Sequence, residues 1–258
     1  MNYKYRIMLA AVVTLLTCGV LTAQGPVVIY SNAFYLPNYD VVSRAIVPYG
    51  NGTNGYYILA NGMSSGVPSE VLIRRYIFDP PGQKTWSYSI TGSDFVEAVA
   101  FTVKAASPAG ADEIYVAAYA EEDGVRTYQT LKFNTANEGP PEWAESYNCH
   151  EGGYLVDIAL AGSGVIVAGA YDNSDNNEGL NYCLVRYDED GTRLWAQDWD
   201  GGQTTEDVDD VPVALAVKTS GGDFSAYMTG NMGTLPAFIL DECTPAPTGC
   251  ELRSGLPD

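Results

Sequence analysis

The sequence predicts an all-β chain assembled from short antiparallel strands in four-stranded units, and three observations carry that reading. Beyond the first 23 residues no apolar stripe recurs at the 3.6-residue helical period; apolar runs are short and set between turn-forming clusters. A Trp follows a Gly by four positions three times, at Gly82 and Trp86, Gly139 and Trp143, and Gly191 and Trp195. Two further strand-like runs follow each Trp in the same order, so a unit repeats.

The unit is clearest between Asn181 and Met232. Cys183–Tyr187 is a β-type run, Asp190-Gly191 is a dipeptide suited to a tight hairpin, and Leu194-Trp195 opens the next strand. Val211–Val217 and Ala226–Met232 complete it, separated by a turn at Ser220-Gly221-Gly222-Asp223. Upstream, Leu72–Tyr76 with Trp86 and Thr130–Phe133 with Trp143 begin two earlier copies. Glu97–Val103, Tyr154–Leu160 and Pro212–Val217 fill one strand slot, and Ile114–Tyr119, Val165–Tyr171 and Ala226–Gly230 the next. These runs are rich in Val, Ile, Ala and Gly, as strands covered on both faces are.

Stacked four-stranded sheets of this repeat length describe the blades of a β-propeller. Earlier in the chain Val27–Tyr30, Val41–Val47 and Tyr56–Asn61 are strand candidates. They are expected to share a fourth blade with Ala237–Leu240, which gives about four blades or an incomplete set. Trp86, Trp143 and Trp195 are then expected in equivalent, mostly buried positions between neighbouring sheets, because equal offsets from a turn place side chains on the same face.

Residues 1–23 read as a signal peptide: Lys4 and Arg6 precede an apolar stretch from Ile7 to Leu16, and Ala23 precedes the expected cleavage point. The domain plan is therefore leader 1–23, repeat domain 24–240 and tail 241–258, exported and with no membrane insertion after cleavage. Removing the leader takes the net charge from −19 to −21 (−19 − 2) over 235 residues (258 − 23). A chain this acidic repels phosphate backbones and anionic membranes, so nucleic acid is disfavoured as a partner.

Four cysteines remain after cleavage: Cys149, Cys183, Cys243 and Cys250. An even count in an exported chain permits two disulfides with three connectivities. Cys243 and Cys250 enclose a Pro-containing loop that bends readily, so that bond is expected, which leaves Cys149 for Cys183.

The segment Leu184–Trp195, followed by Gly201-Gly202, Ala214–Val217 and Tyr227–Gly230, resembles the SBBP-type β-propeller repeat of secreted bacterial proteins. The resemblance covers roughly residues 71–240 and implies an extracytoplasmic propeller without a conserved catalytic set. The Gly-to-Trp offset is similar also to the tryptophan-docking repeats of quinoprotein dehydrogenases, which keeps an enzyme fragment as the alternative.

No catalytic constellation stands out. His150 is the sole histidine, so a Ser-His-Asp arrangement would have to use it. The polar cluster with chemistry is Asp172, Asp175, Asn177 and Glu178, whose hard oxygen atoms beside Gly179 suit Ca²⁺. The expected role is a non-catalytic binding or scaffold module taking a protein or glycan ligand, with a propeller-type hydrolase as the competing reading.

Overall fold

Four antiparallel sheets, each of four strands, follow one another along the chain in a computed structural model. It describes residues 40–49, 55–78, 81–89, 95–106, 111–122, 125–137, 139–150, 152–173, 179–199, 209–220, 223–232, 235–242 and 251–255. The first sheet is β1 (Asp40–Tyr49), β2 (Gly55–Ser64), β3 (Val67–Phe78) and β4 (Pro81–Tyr88). The second is β5 (Phe95–Lys104), β6 (Glu113–Glu122), β7 (Val125–Asn134) and β8 (Trp143–Asn148). The third is β9 (Tyr154–Ala161), β10 (Gly164–Asp172), β11 (Leu180–Tyr187) and β12 (Arg193–Trp199). The fourth is β13 (Asp210–Ser220), β14 (Asp223–Met232), β15 (Leu235–Glu242) and β16 (Glu251–Gly255).

Every sheet pairs its strands in sequence order, and every element among the described residues is a strand, as the apolar pattern predicts. Three expectations are corrected. The repeat unit is displaced by two strands, since each Trp-bearing strand ends a sheet. The early strands do not share a sheet with Ala237–Leu240: β1 and β2 pair with β3, while β15 pairs with β14 and β16. The boundary expected at 240 is crossed by strand structure, because β15 runs to Glu242 and β16 (Glu251–Gly255) pairs with it in the fourth sheet. The leader 1–23 and Val27–Tyr30 lie outside the described residues.

The first strand of every sheet carries a bulge. The register against the second strand skips one residue, Arg44, Val99, Val156 and Val213, at intervals of 55, 57 and 57 (44 to 99, 99 to 156, 156 to 213). A bulge sharpens strand twist and turns backbone groups out of the ladder. These bulged strands pack on one another in order, β1 on β5, β5 on β9 and β9 on β13.

Side-chain alternation divides the core between three junctions. In β6, Ile114, Val116, Ala118 and Ala120 face the first sheet, while Tyr115, Ala117 and Tyr119 face the third. In β11, Cys183, Val185 and Tyr187 face the second sheet, while Tyr182 and Leu184 face the fourth. Both middle sheets are thus covered on two faces, which is why their sequences run apolar without polar alternation.

Two of the three junctions are latched at the bulge by a side chain. Asn61 of β2 accepts from the Ala98 N–H at 2.7 Å and donates to the Ala98 carbonyl at 3.4 Å. One sheet on, the Tyr119 hydroxyl takes the place of Asn61 and bonds the N–H and carbonyl of Leu155, the counterpart of Ala98. At the third junction the counterparts are Ala170 and Pro212, so a side chain with nothing to give meets a residue with no N–H. One strand out, Tyr128 presses on Gly169 and Tyr182 on Gly230; a Cβ on either glycine would lie 2.5 or 2.6 Å from the hydroxyl. The first junction has Val71 and Ala118 in these places.

The tryptophans also tie sheet to sheet. Trp86 donates its indole N–H to the Asn137 carbonyl at 2.7 Å, and Trp143 donates to the Glu189 carbonyl at 3.0 Å, each acceptor lying in the last connection of the following sheet. The Trp143 ring lies against Gly191, where φ is +88° and an added Cβ would meet the ring at 2.8 Å. Burial is less uniform than expected: Trp86 is 2% exposed, whereas Trp143 and Trp195 are half-buried. The constant offset from Gly is not the cause of their placement. Gly82 sits in the β4 ladder, Gly139 in the long β7–β8 connection and Gly191 in a tight turn.

Trp199 packs against the same cluster as Trp195, so the two are expected to matter alike. Trp86→Ala is expected to cost about 3 to 5 kcal/mol. Trp143→Ala, Trp195→Ala and Trp199→Ala should each cost less, as shifts in denaturation midpoint at unchanged slope.

Candidate functional site

The richest chemistry lies along the edge of the second sheet that carries the β5–β6 and β7–β8 connections. Lys104 ends β5, Glu113 begins β6, Lys132 lies near the end of β7 and Glu142 precedes β8, so meander topology alone brings four charges to one edge. Glu113 binds Lys104 and Lys132, each at 2.8 Å, and Lys132 also reaches Glu142 at 3.4 Å. The third sheet joins through Glu189: its carbonyl accepts from Lys132 at 3.1 Å and its carboxylate lies 3.6 Å from Lys104. Towards the first sheet, the Tyr57 hydroxyl donates to Asp112 at 2.7 Å, while Asp112 accepts the Ala106 N–H at 2.9 Å.

Burial alone would raise the Glu113 pKa, but hydrogen bonds and attraction from Lys104 and Lys132 outweigh it and bring the group down to about 2. Burial likewise works against the Lys132 charge, and Glu113 and Glu142 overcome it to raise the pKa. Both groups therefore stay charged across the neutral range. The Tyr115 hydroxyl donates to Glu113 at 3.1 Å, and burial with that carboxylate pushes its pKa up. A fixed ion-pair cluster of this kind can orient a bound group or lock two sheets.

Beside it opens a hollow of about 330 Å³, lined by Lys104, Glu113, Asn134 and four alanines: Ala105, Ala106, Ala111 and Ala136. Among its described lining residues Glu113 is the one carboxylate, and it is bound to two lysines. A second hollow, about 480 Å³, runs along Thr85–Ser89 beside Gly139 and Pro140.

The opposite edge gathers other sequence candidates. Asp172 accepts the Gly152 N–H at 2.7 Å, and its own N–H donates to the Cys149 carbonyl at 3.1 Å, which fastens the β8–β9 connection to β10. Asp175, Asn177 and Glu178, the rest of the expected Ca²⁺ set, lie outside the described residues. Among the described residues no three His, Cys, Asp or Glu side chains cluster as metal ligands. The set belongs to the hairpin joining β10 to β11 within one sheet, not to a connection between units. His150 adopts a left-handed backbone, φ 60°, and its Nε2 lies 3.0 Å from the Tyr171 hydroxyl.

Cys149 and Cys183 are corrected as a disulfide pair: both are buried free thiols in the cluster between the second and third sheets. Cys183 points inward from mid-strand β11 as a small apolar side chain, and Cys149 donates to the Arg126 carbonyl at 3.6 Å. Cys243 and Cys250 lie outside the described residues. The lysines at the charged edge were missed in the sequence because nothing local marks them; their meaning comes from sheets meeting.

Glu113 has a folded pKa below its ordinary 4.5, so its stabilisation is complete above that pH and lost as pH falls toward about 2. Glu113→Gln should therefore be less stable than the parent at neutral pH, and the difference should vanish across that acid range in urea titrations. Burial pushes the Cys149 thiol up to about 12 and the Cys183 thiol up as well. In a chain with Cys18, Cys243 and Cys250 replaced by Ser, both thiols should resist alkylation at neutral pH when folded and react when unfolded without reductant. A disulfide would leave them unreactive in both states.

Compared with known proteins, the chain matches no family model, no curated protein and no solved structure.

Proposed function

We propose that this chain is an exported propeller-type repeat protein that serves as a non-catalytic binding or scaffold module. The observation that carries the reading is the fourfold bulged first strand, β1, β5, β9 and β13, packed in succession as inner strands would be around an axis. Strand connections then gather along the edges, where propellers present ligand-binding loops. The charged groups along the described edge, Glu113, Lys104 and Lys132, are engaged in holding sheets together, which favours a fixed recognition surface over reacting groups. The leader expected at 1–23 and the acidic surface suit an extracytoplasmic protein with a protein or glycan ligand.

The test is to pass the purified chain over immobilised neutral oligosaccharides and to incubate it in parallel with chromogenic glycoside and ester substrates. Saccharide retention without turnover is the expected result. Turnover abolished by Glu113→Gln would replace this reading with an enzyme.

A further inference from the structure

We propose that the outer face of the fourth sheet is a docking surface for the first sheet of a second copy of this chain, in a head-to-tail arrangement. The argument begins from register. Counting from the bulges, Tyr57, Tyr115 and Ile166 occupy one position on the second strand of their sheets, and Tyr227 occupies it in the fourth. Four residues on stand Asn61, Tyr119, Ala170 and then Asn231. At this pair of positions each sheet packs on the next, and the first and second sheets also grip it through Asn61 and Tyr119.

At the three junctions the gripping residues are covered: Tyr57, Tyr115 and Ile166 are 0% exposed. In the fourth sheet Tyr227 is 37% exposed and Asn231 is exposed. Thr229 lies between them, so the face reads Tyr-x-Thr-x-Asn where the first sheet reads Tyr-x-Leu-x-Asn. Val213, the bulge residue beside them, is 61% exposed. The chemistry that gripped Ala98 is thus repeated on a face where Val213, Tyr227 and Asn231 stand exposed.

The complementary half is present at the other end of the stack. The receiving element is always a bulged first strand with an apolar residue after the bulge, Phe101, Ile158 or Leu215, which are 6%, 3% and 8% exposed beneath the preceding sheet. Their counterpart in the first sheet is Ile46, 45% exposed, with the same bulge at Ser43–Ala45. That face is covered at Ala60 on β2 and at Leu72, Arg74 and Tyr76 on β3, which leaves β1 and its bulge for a partner to meet. Among the described residues, a grip without a bulge and a bulge without a grip on one chain define a heterologous interface, in which fourth sheet meets first sheet between copies.

This inference uses the order of stacking but not the ligand of the module, so saccharide retention is measured separately on every variant. Sedimentation velocity on the full chain at about 100 µM, a concentration that fills an interface of micromolar Kd, should show a dimer or larger species. Tyr227→Glu and Ile46→Glu each place a charge on one half alone, and each should sediment as a monomer with an unchanged circular dichroism spectrum. Mixed in equal amounts, they should form a one-to-one heterodimer, because each supplies the half the other has lost. Asn231→Arg should behave as Tyr227→Glu. A parent chain that stays monomeric, including one that closes on itself, overturns the proposal, as do single variants that associate like the parent. A monomer that still retains saccharide overturns this proposal and leaves the binding role standing.

Discussion

The structure depends on one repeated constraint: a bulged first strand whose displaced backbone must be matched by the sheet before it. Buried N–H and C=O groups left without partners cost about 1 to 3 kcal/mol each, so an irregular strand inside a stack has to be answered from outside its own ladder. Asn61 and Tyr119 answer it with unlike side chains, and the Ala170 and Pro212 junction answers it by removing the demand. The bulge thereby converts sheet stacking, which apolar contact alone leaves free to slide, into a defined register.

Layered on that constraint is a gradient of burial. The second and third sheets are covered on both faces, and the first and fourth contribute one face each to the shared clusters. Such a linear array is stabilised by neighbour contacts more than by any single sheet, so its end sheets hold the least protected strands. The ion pairs around Glu113 and Lys132 sit at the middle junction, where the two best-covered sheets meet.

Much of the fold was legible in the sequence, though for a partly mistaken reason. Cys183–Tyr187, Val165–Tyr171 and Ile114–Tyr119 each appear as the strands they are, because composition and turn residues bound them locally. The division into sheets was not legible. The connection from Tyr88 to Phe95 resembles an ordinary hairpin loop, and no residue type announces that the next strand turns away from its neighbour. The repeated bulge was hidden too, since skipping one residue breaks the alternation that a period-two reading relies on. Ser43–Ile46 therefore looked unlike Ala98–Phe101 although the two occupy the same place. Of the site, the cysteines were assigned by their count, whereas Cys183 stands in mid-strand β11 as a buried free thiol.

The pairing of Tyr128 with Gly169 and Tyr182 with Gly230, against Val71 with Ala118, gives the sheets addresses. A tyrosine needs the glycine opposite it, and a valine set against a glycine would leave a void that alanine fills. Sheets that share one plan are for this reason not interchangeable: the second cannot take the place of the third beneath Tyr128, because Ala118 would stand where Gly169 must. The side chains at the junctions dictate a single order of assembly, and any rearrangement of the sheets has to carry both halves of a junction together.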